Sequence, residues 1–253
     1  MNRLAEKSIV LTGATAGIGL STARRLHEEG ALLTLVARGE RAGAELVAEL
    51  GEERAQFVRA DVAAPESARR IVAAARERFG RVDVLVNNAG VDFNDSLLDV
   101  DLDAVRGVFD VNFWGAFALL QGAGRAMREQ GGGGAVVNVT SRLASIGVPG
   151  MSCYGASKGA LLTLTRGAAV ELAPFGIRVN AVAPGLTETP LYEEFVATTP
   201  DGPAVAEAQR AAIPQGRFGR PEEVAATIAF LAADEAAHIT GASIPIDGGY
   251  TAT

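Results

Sequence analysis

A chain of 253 residues, 48% of them apolar and 21% charged, has the composition of one globular domain that can bury a sizeable core. The formal net charge of −7 argues against a nucleic-acid-binding protein, which needs a clustered basic surface, and is explained by solubility. Cys153 is the only cysteine, so no internal disulfide can form and a reducing compartment is expected. We interpret it as a small residue that fills space in the packing and not as a nucleophile. Without a secretory leader or an apolar run long enough to cross a bilayer, the sequence predicts a cytoplasmic protein with no membrane partner.

The chain opens with a pattern of strand, glycine-rich turn and helix. Residues 8–12 form a short apolar run that is typical of a buried parallel strand. Gly13, Gly17 and Gly19 follow it in the spacing G-x-x-x-G-x-G, and a helical pattern comes next. Glycines at this point let backbone amides approach a pyrophosphate at the start of a helix, which predicts a dinucleotide site. A purely structural turn is the alternative.

The second predicted strand, residues 31–37, ends without the carboxylate that binds a ribose 2′-hydroxyl in dinucleotide folds. Arg38 stands there instead, with Arg41 close by, before a helix predicted at about 42–50. An arginine at this position can pair with a 2′-phosphate, so the sequence favours NADP(H) over NAD(H). The alternative is an arginine that simply begins a solvated helix.

Strands and helices continue to alternate along the rest of the chain. Further strands are predicted at 56–60, 82–86, 135–139, 177–182 and 242–246, and helices at about 65–79, 102–129, 154–175 and from 221. This alternation predicts an α/β fold, a doubly wound seven-stranded parallel sheet flanked by helices, in a single domain over residues 1–253. Residues 186–215 are interpreted as an irregular, mobile substrate lid, because they follow the C-terminal end of a strand.

Polar residues stand at the ends of these predicted strands. Asp61 ends the third strand, where it can meet an adenine edge; Asn-Asn-Ala-Gly at 87–90 ends the fourth, and Ser141 follows the fifth. Asn112 is a polar residue among apolar neighbours on the long helix, so it must find buried partners or cost stability.

Tyr154 and Lys158 are four residues apart on a predicted helix and therefore lie on one face of it. A free tyrosine titrates at about pH 10, and a neighbouring cation favours the phenolate, so the pair is interpreted as a general acid/base with a lowered tyrosine pKa. The same spacing also arises by chance on solvated helix faces. His27 and His238 share no motif with an acid or a serine, and no metal site is predicted.

Together and in this order, the motifs resemble those of the single-domain short-chain dehydrogenases/reductases over nearly the whole chain. They are the glycine turn that begins at Thr12, Asp61, residues 87–90, Asn112, Ser141, Tyr154-x-x-x-Lys158, Pro184-Gly185 and the closing stretch 244–249. The resemblance implies a Rossmann fold and direct hydride transfer between a nicotinamide cofactor and a carbonyl or secondary-alcohol carbon.

The resemblance also implies a role for each site residue. Tyr154 would exchange a proton with the substrate oxygen, and Ser141 would hydrogen-bond that oxygen as charge develops. Lys158 would lower the tyrosine pKa and hold the nicotinamide ribose, and Asn112 would anchor a water that links Lys158 to solvent. The expected cofactor-binding residues are Gly13, Thr15, Ala16, Gly17, Ile18, Gly19, Arg38, Asp61, Val62, Asn88, Ala89, Gly90, Tyr154, Lys158, Pro184, Gly185, Thr187 and Thr189.

The substrate pocket is expected to be mostly apolar and to contain no arginine, which favours a neutral, fairly hydrophobic carbonyl compound. Its expected lining residues are Asp92, Phe93, Leu143, Ala144, Met151, Leu186, Leu191 and Tyr192. The alternative is a 3-oxoacyl carrier-protein reductase that docks an acidic carrier on Arg125, Arg128 and Arg166. Phe175 occupies a position where such enzymes often have a basic residue, which weakens that alternative.

Two other classes of protein are weighed against this enzyme. A catalytically silent dinucleotide-binding regulator is disfavoured because all four catalytic positions are filled. An epimerase or dehydratase similar to the longer relatives is also disfavoured, because such an enzyme is expected to carry a further C-terminal substrate domain after the seventh strand. Because many members of the family are tetramers joined through two long helices, here those of Phe113 and Leu161, a homotetramer is expected.

Overall fold

The computed structural model describes residues 2–252. The strands, in chain order, are β1 (Ser8–Thr12), β2 (Leu32–Ala37), β3 (Ala55–Arg59), β4 (Val84–Asn87), β5 (Gly134–Val139), β6 (Ile177–Pro184) and β7 (Ser243–Ile246). The α-helices are α1 (Gly17–Glu28), α2 (Glu40–Leu50), α3 (Ser67–Phe79), α4 (Leu102–Phe109), α5 (Ala116–Gln130), α6 (Ser152–Leu172), α7 (Pro190–Thr198), α8 (Gly202–Ala211) and α9 (Pro221–Ala232).

The seven strands form one parallel sheet in the order β3-β2-β1-β4-β5-β6-β7. Helices cover both faces, so the central strands are apolar on both sides and read as continuous hydrophobic runs. Along β1, Ile9 and Leu11 belong to the core shared with α1 and α9, whereas Val10 belongs to the core shared with α3 and α5. The predicted doubly wound Rossmann fold is confirmed.

The order in which the chain adds strands reverses between β1 and β4: β2 and β3 lie on one side of β1, and β4 to β7 lie on the other. In open α/β sheets, ligands bind in the crevice at such a reversal, beyond the carboxyl ends of the strands. The turn after β1 and residues 88–90 after β4 therefore meet at one place, as their sequence motifs require.

Two predicted segments differ from the structure. Residues 186–215 are not irregular, since they contain α7 and α8. The side chain of Thr189 accepts a hydrogen bond from the backbone N–H of Tyr192, and Pro190 occupies the first helical position, so α7 has the usual signals of a helix start. Pro190 therefore begins a helix here.

The long helix predicted at 102–129 is interrupted by a turn of π-helix. Residues Asp110–Gly115 form that wider turn between α4 and α5, and it contains Asn112. A π turn inside an α-helix is uncommon and is often found at a functional site. The apolar pattern predicts the helix but gives no sign of this turn.

Candidate active site

A cavity of about 780 Å³ opens at the carboxyl ends of the strands, where the strand order reverses between β1 and β4. Every residue predicted to bind the cofactor lines it, and so does Ser141. The predicted substrate-pocket residues that line it are Asp92, Leu143, Met151, Leu186, Leu191 and Tyr192. Phe93 and Ala144, also predicted, do not line it, and Asn112 lies behind its wall.

The glycine turn is shaped for close approach by backbone. Gly13 has a φ of +65°, a backbone conformation that residues with a Cβ rarely adopt. A Cβ on Gly19 would overlap the carbonyl oxygen of Gly13. Ala16 precedes α1 without a side-chain cap, and no acidic residue stands in the first turn of that helix. The first N–H groups of α1 therefore have no side-chain acceptor, and with the helix dipole they suit a phosphate group.

The ends of β1 and β4 are joined by side-chain hydrogen bonds. The amide nitrogen of Asn88 donates to the carbonyl oxygens of Thr12 at 2.9 Å and Gly13 at 3.1 Å. The hydroxyl of Thr12 accepts from the backbone N–H groups of Asn88 and Ala89, each at 3.0 Å. Asn88 thus fixes the shape of the glycine turn in addition to lining the cavity.

Arg38 and Asp61 lie at the adjoining end of the cavity. Arg38 is exposed directly after β2, while Arg41 forms an ion pair with Glu45 at 2.8 Å and does not line the cavity. Asp61 follows β3 and accepts a hydrogen bond from the backbone N–H of Ala63 at 3.0 Å. Of the two arginines, Arg38 therefore lines the cavity and Arg41 does not.

Lys158 is deeply buried on α6, with 4% of its surface exposed. Its Nζ donates to the carbonyl oxygen of Val139, at the end of β5, at 3.0 Å and lies 5.7 Å from the centroid of the Tyr154 ring. Burial lowers the pKa of the Lys158 ammonium to about 8, while the carboxylate of Asp92 acts in the opposite direction. The cation predicted beside the tyrosine is present, but its pKa is lowered to about 8.

Burial raises the pKa of the Tyr154 phenol, and the negative charge of Asp92 adds to the effect. The hydrogen bond between the side chains of Tyr154 and Ser141 acts in the opposite direction. The expected lowering of the tyrosine pKa is therefore wrong in direction for the protein by itself, because desolvation of the hydroxyl outweighs the effects that favour the phenolate.

Asn112 is 1% exposed and satisfies its amide with protein groups. It accepts from the backbone N–H of Val91 at 2.9 Å and donates to the carbonyl of Val91 at 3.0 Å and to Ser157 Oγ at 3.1 Å. A Cβ on Gly90 would lie 3.2 Å from both Asn112 Oδ1 and Lys158 Nζ, so the two polar groups approach each other across this glycine. Asn112 joins the segment after β4 to α6, beneath the cavity.

Arg142 also belongs to the site, although it was not among the residues predicted from the sequence. This residue follows Ser141 directly, is 8% exposed, and lines the cavity. Its Cζ lies 4.1 Å from the centroid of the Tyr250 ring, and its Nη1 is buried without a hydrogen-bond partner among residues 2–252. The expected pocket therefore lacked its one buried guanidinium. Its position directly after Ser141 was the sequence feature that could have indicated a place in the site.

Within residues 2–252, no group of three or more His, Cys, Asp or Glu side chains is arranged to hold a metal ion. No helix in that range is long and apolar enough to cross a membrane.

Comparisons with known proteins give a consistent result along the chain. A family profile described as Enoyl-(Acyl carrier protein) reductase matches residues 13–251. The cis-4-hydroxycyclohexanecarboxylate dehydrogenase of Sinomonas cyclohexanicum is 43% identical over 98% of each chain. The L-rhamnose 1-dehydrogenase (NAD(P)(+)) of Azotobacter vinelandii is 39% identical over 97% of each chain. The 3beta-hydroxysteroid dehydrogenase of Mediterraneibacter gnavus is 36% identical over 99% of this chain and 97% of its own.

Proposed function

Because the chain belongs to the short-chain dehydrogenase/reductase family, as an oxidoreductase that acts on CH–OH groups with a nicotinamide cofactor, we propose that it interconverts a fairly hydrophobic secondary alcohol and its ketone with NADP(H). The observation that carries the proposal is the meeting of Tyr154, Ser141 and Lys158 with the glycine turn in one cavity. The turn suits a pyrophosphate, and the three side chains suit proton exchange with a carbonyl oxygen.

In the proposed mechanism, Tyr154 is the proton donor for reduction. Its raised pKa keeps the phenol protonated at neutral pH, and its bond to Ser141 sets the two hydroxyls side by side to bind one substrate oxygen. Once the proton has left, the cation of Lys158 stabilises the phenolate through its charge. A bound nicotinamide supplies the hydride in this direction and accepts it in the other.

Asn112 acts in this proposal as a positioning residue. Its bonds to Val91 and Ser157 hold the cavity wall after β4 against α6, which carries Tyr154 and Lys158. Anchoring a water that connects Lys158 to solvent remains the role that the family resemblance implies for it.

The preference for NADP(H) is supported by Arg38. This exposed guanidinium lines the cavity after β2, while the nearest acidic residue in sequence, Glu40, begins α2 outside the lining. A 2′-phosphate placed there would meet a cation and no carboxylate from this segment.

The hydrophobic character of the substrate is supported by Leu143, Met151, Leu186 and Leu191 in the lining. Relatives named for a hydroxycyclohexanecarboxylate and a hydroxysteroid suggest a secondary alcohol on a ring. The expectation of a neutral substrate depended on a pocket without arginine, and Arg142 removes that reason. Residues 186–215 would form the substrate lid of this single domain, and a cytoplasmic location remains a prediction.

The test is turnover of NADPH and NADH by the purified protein with ring ketones, 3-oxoacyl thioesters and sugars, with Tyr154→Phe in parallel. We expect the variant to lose on the order of 10²–10⁴-fold in kcat, because it lacks the proton donor, and to keep its affinity for NADPH. Parent-like turnover in the variant would reject Tyr154 as the donor. Tight NADPH binding without turnover of any substrate would favour the silent regulator.

A further inference from the structure

We propose that Arg142 is a specificity-determining residue that binds a carboxylate carried by the substrate away from its reacting carbon. The inference rests on the proposed function, since it takes the cavity beside Ser141 as the substrate site. It narrows the substrate class to hydroxy and oxo acids with an apolar body.

The guanidinium of Arg142 is buried and forms no ion pair with any residue between 2 and 252. Its Nη1 has no hydrogen-bond partner in the same range. Buried charges are normally paired, because desolvation of a charge without a partner is costly. The residue nevertheless lines the cavity, so a ligand there can reach this guanidinium.

The groups that face Arg142 within residues 2–252 form no ion pair with it. Tyr250 stacks on the guanidinium and is hydrogen-bonded to it, and Tyr192 and Asp247 also lie near enough to act on its charge. The carboxylate of Asp247 is committed to the turn that follows it, because it accepts from the backbone N–H of Gly249 at 3.0 Å and from the N–H and hydroxyl of Thr251 at 3.0 and 2.6 Å.

One carboxylate in the cavity lining, that of Asp92, acts on other groups of the site. Its charge acts on Tyr154 and Lys158, and it is absent from the groups that act on Arg142. The cavity therefore contains a carboxylate that acts on Tyr154 and Lys158 and a guanidinium, that of Arg142, on which this carboxylate does not act. A substrate with one acid group would be oriented by this difference, its carboxylate toward Arg142.

A carboxylate fits this cation better than a neutral polar group does. A guanidinium presents parallel N–H donors that match the two oxygens of a carboxylate, and the bond is stronger in a site from which water is excluded. Ser141, Arg142 and Tyr154 line the same cavity. An acid group held by Arg142 would thus leave the rest of a small ring within reach of Ser141 and Tyr154.

The first test measures binding without turnover. Cyclohexanecarboxylate and cyclohexanecarboxamide have the same shape and differ in charge, and both can be titrated calorimetrically into the NADPH-loaded protein. We expect the parent to bind the acid roughly 10- to 100-fold more tightly than the amide, and Arg142→Gln to remove this difference. Equal affinities in the parent, or an unchanged ratio in the variant, would overturn the inference.

Arg178→Gln is the matched control. Arg178 is also a partly buried arginine whose pKa is lowered by burial, but it donates to the carbonyl oxygens of Leu231 at 2.8 Å and Ala233 at 3.1 Å, away from the cavity. It should keep the parent ratio of acid to amide affinity. If Arg142→Gln fails to fold, Arg142→Lys decides the matter: the ratio should fall but stay above one, because the charge remains and the paired donors are lost. An unchanged ratio in Arg142→Lys would refute the role of the guanidinium.

The second test follows turnover of 4-oxocyclohexanecarboxylate and its methyl ester. Arg142→Gln should raise KM for the acid with little change in kcat and leave both constants for the ester near the parent values. A loss of kcat with both compounds would indicate a structural role instead. Failure of the proposed function is distinguishable, since parent-like turnover of the ester by Tyr154→Phe would reject the mechanism while the binding ratio still reports on Arg142.

Discussion

Burial drives Tyr154 and Lys158, the two ionisable groups at the centre of the site, toward their uncharged forms. It raises the pKa of the phenol and lowers that of the ammonium to about 8. Because the pKa of Lys158 in the folded protein is below its ordinary 10.5, the unfolded chain binds the proton more tightly between those values. The contribution of Lys158 to stability is thus unfavourable below pH 8, and that penalty is relieved as the pH rises from about 8 toward 10.5.

The same titration should be visible in catalysis. We expect kcat/KM for ketone reduction to fall as the pH rises through about 8, because the cation that stabilises the phenolate is lost there while Tyr154 stays protonated. The pH–rate profile of Lys158→Arg provides the comparison, since a guanidinium remains charged. A limb near pH 8 that persists in this variant would show that another group titrates.

Cofactor choice is expected to depend on Arg38. Arg38→Asp should weaken NADPH binding by roughly 10- to 100-fold and affect NADH binding much less. Only NADPH has a 2′-phosphate, which would lose its charge-assisted contact with the arginine and be repelled by the aspartate. Fluorescence titration with both cofactors measures this. Arg41→Asp is the matched control, since Arg41 pairs with Glu45 outside the cavity. Equal weakening of both cofactors by Arg38→Asp would reject the NADP assignment.

Residue positions were predictable where a motif is local in the chain. The glycine turn, Asn88 and the Tyr154–Lys158 pair each lie within a few residues of a predicted strand end or on one helix face, so their spacing predicts their place. Arg142 differs, because its burial depends on Tyr250, more than a hundred residues later in the chain. The direction of the Tyr154 pKa was missed for the same kind of reason, since desolvation depends on the completed cavity.

The start of α1 depends on how tightly it packs on the turn before it. Gly19→Ala should abolish cofactor binding and lower the unfolding temperature, because the added methyl would overlap the carbonyl of Gly13 and force the turn apart. Gly107→Ala is the control: it is also within a helix, α4, and an added Cβ meets nothing within 4 Å. That change should be neutral or stabilise by about 1 kcal/mol. Thermal unfolding with and without NADPH checks both variants, and normal cofactor binding by Gly19→Ala would contradict the packing argument.

Elements were predictable in proportion to their hydrophobic pattern. The strands buried on both faces and the helices with one apolar stripe were all expected from the sequence. Helices α7 and α8 were missed because they bury little: α7 has no buried residue and α8 only Gly202, so neither carries a marked apolar stripe. Tyr192 instead joins them by donating its hydroxyl to Gln209 at 2.7 Å.

At the scale of the whole molecule, large apolar side chains lie exposed on the helices that follow β4 and β5. Trp114, in the π turn, is 55% exposed and Val170, on α6, is 77% exposed. Large apolar side chains exposed to this extent are common where one protein contacts another. We propose that these helices form the subunit contacts of the expected homotetramer.

Val170→Asp should therefore dissociate the assembly into smaller species, because an aspartate there would place a charge in an apolar contact. Ala48→Asp changes an exposed position on α2, on another part of the surface, and should leave the assembly intact. Light scattering coupled to size-exclusion chromatography gives the mass of each variant. A parent protein that is monomeric at micromolar concentration, or a Val170→Asp variant with the parent mass, would contradict the proposed contact.

The π turn at Asp110–Gly115 has a consequence for comparing this chain with others. A π turn holds about one residue more than an α turn, and each α-helical residue rotates the chain by about 100°. Side chains on α4 and α5 are therefore out of phase by about one position relative to a continuous α-helix. A homologue without the wide turn would align here only with a one-residue gap. An ungapped alignment would pair Asn112 with a side chain that points in a different direction.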